Sequence, residues 1–182
     1  MKCSDDFAQL ETFLLETPRL KVSRLAIEDA PFMLELLNEP AFIRNIGDKK
    51  VRTIADTEKF IQKALTPGFE FLGSGMYKVE LKDSAERLGL LTLIKRDTLS
   101  DVDIGYAFLE RHWRNGYALE ATTALLHHAR DVYGLKRILG VTVPENIPSS
   151  RVLEKMGLKL EVKVKFAEDR PECNLYAIDF AP

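Results

Sequence analysis

Residues 103–121, DIGYAFLERHWRNGYALEA, constrain this chain more than any other stretch. An apolar segment of strand character runs into a short polar turn containing Gly116, and the turn opens directly into a long amphipathic helix. That helix, over 116–133, carries Ala118, Ala121, Thr122, Leu125, Ala129 and Val132 at helical spacing, with Glu120, His127, Arg130 and Asp131 on its wet side. The next segment, KRILGVTV at 136–143, is almost wholly apolar in its centre, as a strand covered on both faces by helices requires. The junction leaves the first N–H groups of the long helix unpartnered at the end of a strand, where a phosphate can be held.

The rest of the chain extends this pattern. Residues 1–16 read as a short helix or a loosely held arm. Past Pro18, residues 20–24 alternate as a strand, with Leu20 and Val22 opposite Arg19, Lys21 and Ser23. A helix follows over 27–37, with Glu28 and Asp29 in its first turn and Ile27, Ala30, Met33, Leu34 and Leu37 as its buried stripe. Asn38-Glu39-Pro40 ends it, and 41–52 read as a loop. Thr53 or Asp56 caps the next helix, whose inner side is Phe60, Ile61 and Leu65 and whose stop is Thr66-Pro67-Gly68. Strands within 69–80 and 88–95 make an antiparallel hairpin across KDSAER, and 103–109 is the next strand. A short helix over 148–156, closed by Gly157, and strands near 158–165 and 174–180 complete the order. This is an α/β (α+β) arrangement with a mixed central sheet flanked by helices. At 182 residues, without repeat, low-complexity tract or linker, residues 1–182 read as a single domain.

Composition removes several classes of function. A formal net charge of -2 predicts no general nucleic-acid affinity. No apolar run reaches the length of a membrane span, so no membrane partner is expected. The start, MKCSDDFAQLE, is acidic where a secretory signal is basic and then apolar, which points to a cytoplasmic protein. Cys3 and Cys173 stand far apart and read as ordinary thiols, and no His/Asp/Cys set has ligand spacing, so no metal is expected.

Three stretches carry a family resemblance: TPRLKVSRLAIEDA at 17–30, IGYAFLERHWRNGYALEA at 104–121 and VTVPENIPSSRVLEKMGL at 141–158. In this order and spacing, the chain resembles the GCN5-related N-acetyltransferase (GNAT) superfamily from about Thr17 to Asp179. More closely it looks like the RimJ/RimL-like branch, which contains the ribosomal-protein N-terminal acetyltransferases. The resemblance implies a GNAT-like sheet of about six to seven strands, splayed at its two central parallel strands, with acetyl-CoA as donor substrate in the V-shaped split. It implies that the backbone of Ala107, Phe108 and Leu109 meets the thioester. It also implies that the amides of Arg114, Asn115, Gly116, Tyr117 and Ala118 converge on the pyrophosphate. The family loop is usually written Q/R-x-x-G-x-G/A. Gly116 and Ala118 fit it; Trp113 departs from Q/R, and Arg114 replaces a residue that is often small.

The second signature supplies further candidates. Asn146 contacts the pantetheine arm or caps the following helix through the amide of Ser149; both readings stand. Arg151 approaches the CoA phosphates or lies on the surface. Many relatives place a tyrosine proton donor on this helix, but here no tyrosine stands before Gly157. Ser149 is therefore the candidate proton donor to the departing thiolate, with Ser150 a weaker alternative. An ammonium has no lone pair, so the acceptor also needs a base. Glu110 and Asp103 are the candidates, with Glu80 on a central strand, and His112 lies close to the loop. The reaction implied is direct acetyl transfer from acetyl-CoA to a primary amine, foremost a protein or peptide N-terminus, such as that of a ribosomal protein. Alternatives are a small-amine or amino-acid acetyltransferase, and a non-catalytic CoA-binding or protein-interaction module. Residues 41–52 and the loop before the final strand are candidate acceptor walls, and the chain is expected as monomer or homodimer.

Overall fold

The structure, a computed structural model, describes residues 13–65, 75–166 and 171–180. Its strands are β1 (Phe13–Glu16), β2 (Leu20–Arg24), β3 (Gly75–Leu81), β4 (Arg87–Lys95), β5 (Val102–Phe108), β6 (Arg137–Thr142), β7 (Lys159–Val164) and β8 (Cys173–Asp179). Its helices are α1 (Ala30–Asn38), α2 (Pro40–Asn45), α3 (Ile54–Leu65), α4 (Tyr117–Asp131) and α5 (Ile147–Lys155). The strands form one sheet in the order β1-β2-β3-β4-β5-β6-β8-β7. Every neighbouring pair is antiparallel except β5 and β6, which run parallel. The fold is thus a mixed α/β sheet flanked by helices.

The sheet has eight strands rather than six or seven, and the added one is β1. Residues read from sequence as a helix or arm pair instead with β2, Phe13 opposite Ser23 and Leu15 opposite Val22. The preceding twelve residues lie outside the described chain, as do Thr66-Pro67-Gly68 and the first part of the strand expected from residue 69.

A smaller cluster gathers Leu99, Leu139, Leu175 and Ala177, and two large cores sit on the two faces of the sheet. On one, α4 lays Ala121, Leu125, Leu126 and Ala129 against Val22, Val79, Leu91 and Ile104. On the other, Met33, Leu36 and Leu37 of α1 and Ile61 of α3 pack with Leu90 and Leu109. Alternation along β5 divides its side chains between the two: Ile104, Tyr106 and Phe108 join the α4 face, and Ala107 joins the α1 face.

Local departures from expectation have local causes. Pro40, read as a helix breaker, opens α2 at its first position, where a missing N–H costs nothing, and Ala41 and Phe42 become buried. Thr53 and Asp56 are both capping residues. The Thr53 hydroxyl accepts the Asp56 N–H at 3.1 Å and the Asp56 carboxylate accepts the Thr53 N–H at 3.1 Å, a reciprocal capping box. Val132, placed on the buried stripe of the long helix, is 60% exposed because α4 ends at Asp131; Leu126 takes the buried place.

Candidate functional site

The two parallel strands share a ladder for only two residue pairs, Val102 with Ile138 and Asp103 with Leu139. Beyond them β5 stays paired with β4 as far as Phe108, and β6 stays with β8 as far as Thr142. The sheet therefore splits between β5 and β6, and each strand presents one free edge to the gap. Leu109 sends its N–H to the Leu88 carbonyl on the β4 side. By the alternation of an antiparallel ladder, the N–H of Phe108 points to the opposite, open edge.

The gap is the floor of a cleft of about 720 Å³, within the usual size of small-molecule sites. Ala107 and Phe108 of β5, Arg114, Gly116, Tyr117 and Ala118 of the following loop and helix, and Asn146, Ser149 and Arg151 of the second signature all line it. The structure brings these nine sequence candidates together. Leu109 is fully buried beside them, and Asn115 is exposed, its side-chain amide donating to the carbonyls of His112 and Trp113.

The loop owes its shape to three features. Trp113, the departure from the family pattern, donates its indole N–H to the Phe108 carbonyl at 2.7 Å and so ties the loop to the strand end. Gly116 has φ 81, a left-handed conformation that glycine adopts without cost. Arg114 takes φ 64 in the same loop, at a cost of about 1 kcal/mol for a residue with a Cβ. From outside, Arg19 donates to the Asn115 carbonyl at 3.1 Å and lies 4.6 Å from the centre of the Tyr117 ring. Glu120, expected on the wet side of the helix, accepts from Arg19 at 2.7 Å and from the Thr17 hydroxyl at 2.5 Å. Burial alone would raise the Glu120 carboxyl, but these hydrogen bonds prevail and hold it below its ordinary value. The TPR stretch at 17–19 is thus a brace for the loop and the first turn of α4.

Asn146 caps α5: its side-chain oxygen accepts the Ser149 N–H at 3.2 Å. Its amide nitrogen makes no hydrogen bond among the described residues. Tyr106 reaches from β5 to the start of α5, its hydroxyl 2.9 Å from both the Ser149 carbonyl and the Ser149 Oγ. Burial pushes this phenol up to about 12; the Ser149 hydrogen bond opposes the rise and Tyr176 adds to it. Ser150 is buried.

The two carboxylates expected to serve as base lie elsewhere. Asp103 is 2% exposed and outside the lining of the cleft, with both oxygens engaged by Arg96 at 2.8 and 3.1 Å. Burial raises its carboxyl even against that pair. It braces the root of the split. Glu110 is exposed and also outside the lining; its backbone N–H, not its side chain, faces a neighbour, donating to the Glu39 carboxylate. Glu80 pairs within β3 opposite Lys21 and Arg87, away from the cleft. His112 does line the cleft; its buried Nε2 approaches Glu86 at 3.2 Å without the alignment of a hydrogen bond.

Of residues 41–52, Ala41, Phe42, Asn45 and Ile46 line the cleft, together with Leu36 and Glu39; residues 167–170 of the loop before the final strand lie outside the described residues. Glu39 lies outside the three motif stretches, and Tyr106 and Lys155 lie within them at positions to which the resemblance gives no role. Arg114, Arg151 and Lys155 line the cleft as cations without an ion pair among the described residues. That is the charge a polyphosphate needs. Among the described residues, no group of His, Cys, Asp and Glu could hold a metal ion, and no helix is long and apolar enough to cross a membrane.

Comparison with known proteins agrees with this geometry. A family model described as "Acetyltransferase (GNAT) domain" matches residues 19–159. A Bacillus subtilis (strain 168) protein named "Uncharacterized N-acetyltransferase YoaA" is 27% identical over 150 residues, covering 81% of this chain and 84% of its own. The crystal structure of a GNAT-family acetyltransferase from Bacillus anthracis superposes with a TM-score of 0.75 at 26% identity, over 92% of this chain and 98% of that one. RimL, a ribosomal L7/L12 alpha-N-protein acetyltransferase solved with coenzyme A, shares the fold with a TM-score of 0.78 at 20% identity, over 92% and 97% of the two chains.

Proposed function

Since this chain belongs to the GNAT acetyltransferase-domain family and is an acetyl-CoA-dependent N-acetyltransferase, we propose that its acceptor is the N-terminal amine of a protein or peptide. One observation carries this choice. Among the described residues lining the cleft there is a single carboxylate, Glu39, set in an apolar wall of Leu36, Ala41, Phe42 and Ile46. One ammonium beside an apolar side chain suits such a wall. A polyamine would bring further cations and find no anions for them, only Arg114, Arg151 and Lys155. The likeness to RimL is one of fold; the acceptor assignment rests on the cleft. We take the chain to act as a single acetyltransferase domain of the RimJ/RimL-like branch, as a cytoplasmic monomer or homodimer.

The donor fits the split. Loop amides at 114–118 and the N-terminus of α4 would meet the pyrophosphate, with Arg114, Arg151 and Lys155 adding charge. The Asn146 amide would donate to the pantetheine arm while its oxygen remains the helix cap. The Phe108 N–H, aimed into the gap, would polarise the thioester carbonyl. Ser149 Oγ would give a proton to the departing sulfur, with the Tyr106 phenol behind it.

Incubation with acetyl-CoA and two panels, short peptides with free α-amines and alkyl polyamines, tests the acceptor class by mass spectrometry. One acetyl group added to peptide α-amines is the expected result. Acetylated polyamines with untouched peptides would select the small-amine alternative, and tight acetyl-CoA binding without transfer would select a binding module. Asn146→Ala tests the donor side. It is expected to cost about 1 kcal/mol through the lost cap and to raise the acetyl-CoA KM several-fold. A melting loss with unchanged KM would leave only the cap.

A further inference from the structure

We propose that Glu39 is the general base of the transfer and the anchor for the acceptor ammonium, an assignment that rests on the amine acetyltransferase reading above. Its place in the chain fixes it. Glu39 joins α1 to α2 in extended conformation, φ -61 and ψ 137, so two helix ends hold its backbone. The Glu110 N–H, two residues past the end of β5, donates to both carboxylate oxygens at 3.1 and 3.2 Å. The carboxylate is thereby held beside the end of the strand whose Phe108 N–H faces the gap. It comes from the α1 side of the sheet, with Leu36 and Phe42. Tyr106 and Ser149 come from the α4 and α5 side. Base and acid thus flank the split from opposite faces, which keeps the group that takes protons from nitrogen apart from the one that gives a proton to sulfur.

The surrounding charges are few. Glu35 of α1 is paired with Arg111, Glu110 and Arg111 belong to the turn after β5, and His112 lies in the same lining. Burial raises the Glu39 carboxyl, the Glu110 N–H opposes the rise, Glu110 and Glu35 add to it, and Arg111 lowers it. A raised carboxyl is a better match to a nitrogen acid than an ordinary one. It is ionised above its pKa, so kcat/KM falls as pH falls through it.

The protons balance as follows. The acceptor arrives as ammonium and gives one proton to Glu39, directly or through water. The freed lone pair forms the N–C bond to the thioester carbon as the C=O π pair moves onto oxygen. When that pair returns, the C–S bond breaks and its electrons go to sulfur. Glu39 passes its proton to solvent, takes the second one from nitrogen and releases that in turn. Sulfur takes a proton from Ser149, and Ser149 recovers its hydrogen from solvent. The products are an amide, a thiol and one proton released to solvent.

Glu39→Gln keeps the size of the side chain and an oxygen for the Glu110 N–H. With a peptide α-amine at neutral pH it is expected to lower kcat/KM for the acceptor by about 100-fold, with acetyl-CoA affinity within three-fold of wild type. The gap closes as pH rises through the acceptor's own pKa, near 8 for an α-amine and near 10.4 for an alkylamine. Glu39→Asp keeps an ionisable group and recovers part of the rate, which a purely structural role would not produce. A Glu39→Gln enzyme that follows the wild-type pH profile overturns the assignment. So does the same pH-dependent loss appearing in His112→Gln and not in Glu39→Gln. A wild type that binds acetyl-CoA but acetylates no amine overturns the underlying reading, and the base with it.

Discussion

Ser149→Ala is expected to lower kcat by about 100- to 1,000-fold, the range of a lost general acid, while the dissociation constant for acetyl-CoA stays within a few-fold. A lone serine hydroxyl holds its hydrogen too firmly to serve a thiolate well. Here the Tyr106 phenol lies 2.9 Å from Oγ, and its one O–H, donated to the Ser149 carbonyl at the same distance, turns to Oγ as Ser149 gives its proton up. Tyr106→Phe removes that support and is expected to cost about ten-fold, or 1.36 kcal/mol in the barrier. The two residues act on one proton, so the double variant should be no slower than Ser149→Ala alone. Because burial, with Tyr176, keeps the phenol up at about 12, it stays protonated through the neutral range. The Tyr106→Phe loss should therefore be flat between about pH 6 and 9. Unchanged turnover in Ser149→Ala would end the acid role, and additive losses in the double variant would separate the two residues.

Tyr106 shows where reading the sequence stops. The helix after Asn146, where relatives place a tyrosine, has none before Gly157. The tyrosine that reaches Ser149 stands 43 positions earlier, on β5. Strand alternation does put Tyr106 on one face with Ile104 and Phe108, but not which helix covers that face. Glu39 hid for a related reason. Asn38-Glu39-Pro40 was legible as the end of a helix, and the local signal of Pro40 is the same whether a loop or a new helix follows. Only the tertiary placement of α2 turns the junction toward the cleft. What was legible is what repeats locally: the hairpin of β3 and β4, the apolar β6, the glycine at the start of α4 and the cap of α5. Asp103 and Glu110 are near the loop in sequence, and that nearness does not carry their side chains into the cleft. The ladder sends Asp103 to Arg96 at the root of the split, and the turn after β5 sends the Glu110 side chain to solvent.

Asp29→Ala is expected to cost about 3–5 kcal/mol, the range for a buried ion pair that loses one member, and to lower the melting temperature by roughly 10 °C. In sequence Asp29 was a first-turn acid favouring a helix dipole, a surface effect. In the structure it is 0% exposed and joins three segments. Arg87 of β4 donates to it at 2.7 Å, Lys78 of β3 at 3.1 Å, and the Ala26 N–H at 2.9 Å. Removing the carboxylate leaves the Lys78 ammonium, whose side chain is only 16% exposed, without its counter-charge. Asp29→Asn keeps the shape and the Ala26 contact, so it isolates the charge and should lose most of the same stability. The consequence for activity is one-sided. Asp29 seats α1, and α1 ends at Glu39 on the acceptor wall; the donor loop is braced separately by Thr17, Arg19 and Glu120. The acceptor KM should therefore rise while acetyl-CoA affinity holds. Urea melts and the two constants check this together. An Asp29→Asn protein within about 1 kcal/mol of wild type would mean that Lys78 and Arg87 reach water or other acids without cost. A loss of donor and acceptor affinity in step would mean that the two halves of the cleft are not braced independently.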